Sequence, residues 1–220
     1  MAKVDPRTAR TTAAVLEAAE EVFRREGFHR ATIERIAEAA EVSVGTIYFH
    51  FGSKEALYLE LVERALEVNE RYMAEAYDAE LSPLEQVLAA GDAYMRFHLD
   101  HPGYFRMIAL RGLDLAPGDE PPEAERRIAE RVDLLVGGVA EGIERAVQAG
   151  EAFPVDAWTM SRFVWGAWNG VVALSVREDR LRLDETQLRE ALALGRRLIV
   201  EGCATQKLRD ADARVAGDFL

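Results

Sequence analysis

Residues 32–57 read TIERIAEAAEVSVGTIYFHFGSKEAL and predict a short helix, a tight turn, a second short helix and the start of a third. Ile33, Ile36 and Ala37 recur at helical spacing, so the first helix has one apolar face. Thr32 can cap this helix, because its hydroxyl can accept a hydrogen bond from a free backbone amide. The order of elements is typical of a helix-turn-helix, whose second helix lies in the major groove of DNA.

The second helix is predicted to span residues 44–51, with a cap at each end. Ser43 is a favourable residue for its N-terminus. Gly52 can end it, since glycine adopts positive φ without steric cost. Ile47 and Phe51 are one helical turn apart and are expected to be buried together.

The exposed side of this second helix carries residues suited to DNA contact. Val44 and the Thr46 methyl group fit a thymine methyl, and the Thr46 hydroxyl can bond to a phosphate or a base. Tyr48 and His50 can reach phosphate oxygens. Lys54 lies beside the free amides of the next helix, which is a favourable phosphate site. Together these residues favour DNA contact over ordinary surface packing.

The segment SVGTIYFHFGSKEAL resembles the signature of the TetR/AcrR family of bacterial transcriptional regulators, and the similarity extends over about residues 8–68. The resemblance implies an all-α protein with a three-helix helix-turn-helix DNA-binding domain at 1–52. It also implies a helical ligand-binding and dimerisation domain at 53–220, and a homodimer that represses at a palindromic operator until a ligand binds. The candidate DNA-binding residues are Thr32, Arg35, Ser43, Val44, Gly45, Thr46, Tyr48, Phe49, His50 and Lys54.

The charge of the chain limits how it can bind DNA. The formal net charge is -12, from 27 basic and 39 acidic residues, which argues against a general nucleic-acid binder. A site-specific protein needs only a local basic face. Residues 1–10 hold Lys3, Arg7 and Arg10 against Asp5 alone, so they could form an arm along the DNA.

Cysteine usage and hydropathy predict a cytoplasmic protein. The chain has one cysteine, Cys203, which cannot form an internal disulfide and so fits a reducing compartment. No apolar run approaches the length that crosses a membrane, and the segment MAKVDPRTAR lacks the apolar core of a signal peptide.

The rest of the chain also follows a helical pattern. Proline and glycine mark a loop at 113–122, and the tail from Gln206 is polar. No strand pattern interrupts the series. Besides the two helices above, the predicted helices are 7–26, 53–79, 83–100, 104–112, 123–149, 156–177 and 184–205.

The last two predicted helices carry the expected dimer surface. A glycine inside a helix costs about 1 kcal/mol relative to alanine, so two on one strip of the first helix indicate close approach by another backbone. Two such helices from each subunit would make a four-helix interface, and burial within one subunit is the alternative. The candidate interface residues are Gly166, Gly170, Ala173, Leu188, Leu192, Gly195 and Ile199.

Aromatic and sulfur-containing residues concentrate in the second domain. They predict a pocket for a small apolar or aromatic effector, acyl-type molecules included. A stripe of aromatic residues at helical spacing is also what an ordinary core shows, so that alternative stays open. The candidate ligand-binding residues are Tyr77, Tyr94, Phe97, Tyr104, Met107, Trp165, Trp168 and Asn169.

Other classes of function find less support. The cluster HLDH, with His98, Asp100 and His101, has a spacing that could hold a metal, but histidines are also favourable at a helix C-terminus. There is no glycine-rich phosphate loop and no HExxH motif, so we expect no enzyme, metal or cofactor. A helical module without DNA function is the third alternative, because Val44 replaces the polar or basic residue frequent in the family. If the chain does bind DNA, Val44 leads us to expect that base recognition depends on apolar contacts and DNA shape.

Overall fold

The computed structural model of this protein describes residues 6–109 and 123–205, so the predicted loop at 113–122 and the tail from Gln206 lie outside it. All regular elements in the described stretches are α-helices, which confirms the predicted all-α fold. None of these helices is long and apolar enough to cross a membrane. In chain order they are α1 (Pro6–Arg30), α2 (Ile33–Ala39), α3 (Val44–Phe51), α4 (Lys54–Glu75), α5 (Pro83–Asp100), α6 (Pro102–Ala109), α7 (Glu123–Gln148), α8 (Ala157–Leu174) and α9 (Glu185–Cys203).

The chain divides into two compact units. Unit 1 comprises Met1–Glu67 and Pro102–Ala129, and unit 2 comprises Val68–His101 and Glu130–Leu220. The division falls inside α4 and inside α7. Each of these two helices therefore contributes residues to both units.

α1 is longer than predicted and is kinked at Gly27. This glycine has φ 75° and ψ 163°, so it interrupts the helix where the sequence predicted an end. The chain then forms one more turn, and the Ala31 amide donates to the Gly27 carbonyl at 3.1 Å. The apolar face of α1 is buried as expected, with Val15, Leu16, Ala19, Val22 and Phe23 inside.

α2 and α3 form the predicted helix-turn-helix with capped N-termini. The Thr32 hydroxyl accepts from the Arg35 amide at 3.3 Å, and the Ser43 hydroxyl accepts from the Thr46 amide at 3.1 Å. Between the helices Glu41 has φ 55°, a left-handed conformation that turns the chain. The buried apolar residues of the two helices are Ile33, Ile36, Ala37 and Ile47.

The start of α4 and the short helix α6 complete unit 1. The Ser53 hydroxyl accepts from the Ala56 amide at 3.0 Å, which caps α4 as predicted. α6 packs against α1, and the Tyr104 hydroxyl donates to the Glu20 carboxylate at 2.9 Å. α5 ends at Asp100 with His101 as its C-cap, and α6 begins at the next residue, Pro102.

Unit 2 is held together by packing of the consecutive helices α8 and α9 and by hydrogen bonds between helices more distant in sequence. α8 packs against α9, and the Ser161 hydroxyl of α8 donates to the Val136 carbonyl of α7 at 2.7 Å. Arg196 of α9 pairs with Asp92 of α5, with 3.0 Å between Nε and Oδ1. Both side chains are largely buried, at 17% and 5% exposure. No simple sequence pattern marks this pair.

Within the described stretches, three helices end two or more residues earlier than the sequence predicted. α4 ends at Glu75, α8 at Leu174 and α9 at Cys203. After α8, the Ser175 hydroxyl donates to the Val172 carbonyl at 2.7 Å, so a side chain satisfies a carbonyl that a further helical amide would have used.

Candidate nucleic-acid interface and helical interior

The first turn of α3 is organised by hydrogen bonds within the turn. The Ser43 and Thr46 hydroxyl oxygens are 2.9 Å apart, so the Thr46 hydroxyl already has a partner inside the protein. Gly45 is exposed, and a Cβ added there would lie 3.7 Å from the Ser43 hydroxyl oxygen, an ordinary contact. Val44 is half-buried. This turn therefore exposes the backbone at Gly45, with the half-buried Val44 and Thr46 side chains beside it.

Two adjacent aromatic residues of α3 are exposed. Tyr48 is 49% exposed and Phe49 is 85% exposed, while Ile47 beside them is fully buried and anchors the helix. The His50 ring is half-buried and meets the Phe49 ring edge-on, with 5.3 Å between centroids. A short rigid helix that presents a largely exposed phenylalanine has a surface suited to another molecule.

Lys54 binds the protein's own backbone. Its ammonium donates to the Phe28 carbonyl at 3.0 Å and to the Ala31 carbonyl at 3.1 Å, and it lies 4.4 Å from the centroid of the Phe28 ring. These carbonyls belong to the last turn of α1 and to the residue after it. Lys54 thus joins the start of α4 to the kinked end of α1, a role that the sequence did not predict.

Thr32 and Arg35 lie at the start of α2, where both have intramolecular partners. Thr32 is the N-cap, and the Arg35 guanidinium pairs with the Glu26 carboxylate at 2.6 Å. Glu26 also pairs with Arg25 at 2.7 Å. Hydrogen bonds from Arg25 and then from Arg35 hold the pKa of the Glu26 carboxyl below its usual value. Part of the positive charge expected near the DNA is therefore balanced by this acid.

The predicted basic arm is only partly described. Lys3 and Asp5 lie outside the described residues, whereas Arg7 and Arg10 are exposed in the first turns of α1.

Several of the candidate ligand-binding residues meet inside unit 2. The buried Tyr94 hydroxyl donates to the Asn169 side-chain oxygen at 3.0 Å, which joins α5 to α8. Asn169 in turn donates to the Trp165 carbonyl at 2.7 Å. Burial raises the pKa of Tyr94 to about 12, so this hydroxyl stays protonated and keeps its hydrogen bond.

Aromatic rings surround the buried His98 of α5. The His98 ring meets the Tyr94 ring edge-on at 4.3 Å and lies 5.1 Å from the Phe97 ring. Burial lowers the pKa of His98 to about 3, so the imidazole is neutral at physiological pH. The Tyr72 ring of α4 packs on Phe97 at 5.8 Å. We name Tyr94, Phe97, His98 and Asn169 the α5–α8 cluster.

The remaining ligand candidates are placed differently. Trp168 is buried against Gly195 of α9, whereas Trp165 and Tyr77 are 38% and 64% exposed. Tyr104 and Met107 belong to unit 1 and are buried there. Six of the eight candidates therefore belong to unit 2 and two to unit 1.

The dimer candidates separate into three groups. Leu188 and Leu192 are buried within the subunit, and a Cβ added at Gly195 would lie 2.6 Å from the Trp168 ring. Gly166 and Gly170 are exposed, and Cβ atoms added there would meet nothing within 4 Å in the part of the chain that the structure describes. Ala173 and Ile199 are half-buried, and α9 exposes two residues outside the candidate set, Leu194 and Leu198.

The HLDH cluster does not bring its three side chains together. Asp100 accepts a hydrogen bond from the Tyr72 hydroxyl at 2.8 Å, and the His101 Nε2 atom lies 3.3 Å from the same hydroxyl, whereas His98 packs against the Tyr94 ring. Among the described residues, no group of three or more histidine, cysteine or acidic side chains is placed to hold a metal ion.

Two family descriptions and several relatives match this chain. "Bacterial regulatory proteins, tetR family" matches residues 15–61, and "Tetracyclin repressor-like, C-terminal domain" matches residues 87–211. The HTH-type transcriptional regulator RutR of Escherichia coli (strain K12) is 26% identical over 201 residues, which cover 86% of this chain and 88% of that protein. The HTH-type transcriptional repressor SCO4008 of Streptomyces coelicolor is 30% identical over 147 residues, which cover 67% and 71%.

Solved structures show the same fold. A TetR-like transcriptional regulator from Rhodococcus sp. RHA1 superposes with a TM-score of 0.68 at 25% identity, covering 90% of this chain and 97% of that one. These proteins are described as regulators of transcription, a class that acts by binding DNA and not by catalysis.

Proposed function

Since this chain belongs to the tetR family of bacterial regulatory proteins and is a helix-turn-helix transcriptional regulator, we propose that it is a repressor that a small ligand releases from its operator. In this proposal residues 1–52 bind DNA, and residues 53–220 bind the ligand and form a homodimer. The two α3 helices of the dimer enter major grooves one helical turn of DNA apart, about 34 Å, which requires a palindromic site.

The exposed surface of α3 carries the proposal. Phe49 and Tyr48 project from a helix that Ser43 caps and that buried Ile47 anchors. An apolar side chain this exposed gains about 1.5–3 kcal/mol when it is buried. Contact with thymine methyls and sugar edges would provide that burial. The proposed DNA-contacting residues of this surface are Val44, Gly45, Thr46, Tyr48, Phe49 and His50.

Genome-wide selection of bound DNA fragments, followed by fluorescence anisotropy on the selected site, tests the DNA-binding function. We expect Phe49→Ala to weaken binding roughly 10–100-fold, the equivalent of losing the burial of one ring. Phe153→Ala is the matched control, because Phe153 is also an exposed phenylalanine, at 51%, but lies after α7 in unit 2. A protein that selects no sequence, or a Phe49 variant that binds as well as the control, would contradict the proposal.

Gly166 and Gly170 provide a test of the homodimer. An alanine Cβ at either position meets nothing within 4 Å among the described residues of its own chain and should stabilise α8 by about 1 kcal/mol. If a partner backbone packs there, the double alanine variant should instead weaken dimerisation in analytical ultracentrifugation. Gly91→Ala in α5 is the control, since its added Cβ also meets nothing within 4 Å. A dimer as tight as the control would place the interface elsewhere.

The proposed release mechanism uses α4, which contributes residues to both units. Ligand binding in unit 2 would shift α4 and change the spacing of the two α3 helices. The ligand must then bind more tightly to the form that does not fit DNA. Operator DNA must weaken ligand binding by the same factor by which the ligand weakens operator binding. A ligand that binds tightly and leaves operator affinity unchanged would contradict this coupling.

A further inference from the structure

A buried amide of α4 has an oxygen atom that lacks a protein partner. Asn69 is 2% exposed and belongs to the part of α4 in unit 2. No hydrogen-bond donor of the residues described, 6–109 and 123–205, reaches its Oδ1 atom. Leaving such an acceptor buried costs about 1–3 kcal/mol, so it is satisfied by a donor outside the described chain, either a buried water or the hydroxyl of a ligand that displaces the water.

The position of Asn69 associates it with the aromatic interior of unit 2. Asn69 and Tyr72 are three residues apart in α4, which places them on the same side of the helix. The Tyr72 ring packs on Phe97 of α5, the residue next to His98 in the α5–α8 cluster. Asn69 therefore lies on the same side of α4 as Tyr72, whose ring packs on Phe97.

The charges of this interior are already balanced. Among the described residues of unit 2, Arg131 and Arg196 are the arginines that are not exposed. Arg131 pairs with Glu70 at 2.7 Å and Arg196 with Asp92 at 3.0 Å. Burial keeps the His98 imidazole neutral, with a pKa of about 3. Among these described residues, an anionic ligand would lose its hydration without gaining a positive partner that is not already paired with an acid, which is strongly unfavourable.

We propose that the ligand of this interior is a neutral, mainly apolar alcohol whose hydroxyl donates a hydrogen bond to the Asn69 side-chain oxygen. This inference rests on the proposed ligand-released repressor and specifies the chemistry of its effector. It excludes free carboxylic acids at neutral pH, because they are ionised. The aromatic residues of the α5–α8 cluster would contact the apolar body of the molecule.

Two matched series of probes test the inference. The first is 2-naphthol, 2-methoxynaphthalene and 2-naphthoate, and the second is 1-decanol, decyl methyl ether and decanoate. Within each series the shape is similar, and the polar end is a donor, a neutral acceptor or an anion. Isothermal calorimetry and thermal unfolding are measured on the full-length wild-type chain and on Asn69→Leu.

We expect the alcohol of at least one series to bind wild type roughly tenfold more tightly than its ether and its anion, the effect of one buried hydrogen bond. This preference should disappear in Asn69→Leu. Without ligand, that variant should be as stable as wild type or more so, because it removes an unpaired polar group. Asn169→Leu is the contrasting control and should be less stable, because it leaves the Tyr94 hydroxyl without its acceptor.

The inference is overturned if an anion binds as well as the alcohol, if the preference survives in Asn69→Leu, or if no probe binds at millimolar concentration. Operator binding is measured on the same preparations without probe. If operator binding is intact and any of these outcomes is found, only the assignment of an alcohol as the effector is refuted, and the proposed function stands. Loss of sequence-selective DNA binding by wild type removes the proposed function instead.

Discussion

Replacing Lys54 by methionine tests whether this lysine stabilises the helix-turn-helix or binds a DNA phosphate. Its ammonium donates to the Phe28 and Ala31 carbonyls at 3.0 and 3.1 Å and lies 4.4 Å from the Phe28 ring centroid. For a half-buried group, each charged hydrogen bond contributes about 1.5 kcal/mol and the ring contact about 0.5 kcal/mol. Since the methionine side chain keeps some packing, we expect the free energy of unfolding to fall by about 3 kcal/mol.

Urea unfolding followed by circular dichroism measures this loss from the transition midpoint and slope. Arg71→Met is the matched control, because Arg71 is an exposed cation on the same helix α4. Removing that charge should change the free energy of unfolding by no more than about 0.5 kcal/mol.

The salt dependence of operator binding separates the two roles of Lys54. Losing a phosphate contact lowers the slope of log affinity against log salt by about 1, whereas losing an internal contact leaves the slope unchanged. We expect an unchanged slope under conditions where the Lys54→Met variant is folded. Unchanged stability together with a slope lowered by about 1 would refute the reasoning and restore Lys54 as a phosphate ligand.

Three further predictions concern unit 2. The free energy of unfolding of wild type should fall as pH decreases from about 6.5 towards 3, because in this range only the unfolded chain protonates His98. At pH 5 the loss is about 2 kcal/mol, and His98→Phe should lack this loss when urea unfolding is measured as a function of pH. Gly195→Ala should lower the melting temperature, because its Cβ would lie 2.6 Å from a buried indole ring, whereas Gly91→Ala should raise it. Arg196→Met should cost about 3–5 kcal/mol by leaving the Asp92 carboxylate unpaired, and the further change Asp92→Leu should restore most of that loss in denaturant unfolding.

The helix boundaries that the sequence predicted well are those set by nearby residues. The caps at Thr32, Ser43 and Ser53 accept hydrogen bonds from amides three residues later in the chain. Gly52 has φ 80° at the end of α3, which glycine tolerates better than other residues. The spacing of apolar residues also identified the buried faces of the first helices, because a helix repeats every 3.6 residues wherever it occurs.

The roles of individual side chains were harder to predict, because their partners come from distant parts of the chain. The phosphate contact of Lys54 stays a prediction, and the two carbonyls that it binds in the structure, 26 and 23 residues away, were not foreseen. Arg196 and Asp92 are 104 residues apart, and no pattern in either helix pairs them. Asn69 was not singled out, since an asparagine inside a helix has no special spacing and only its burial makes it unusual.

The sequence alone determined the all-α fold, the capped helix-turn-helix and the resemblance to the TetR/AcrR family, because periodicity, caps and turn residues act over a few positions. The tertiary structure alone decided which polar groups are already paired and which remain available. It also distinguished Gly195, which Trp168 covers within the subunit, from the exposed Gly166 and Gly170, although all three are helical glycines in the sequence. The physical reason is that hydrogen bonds and close packing depend on distances in space, and those distances are set only when helices remote in the chain pack together.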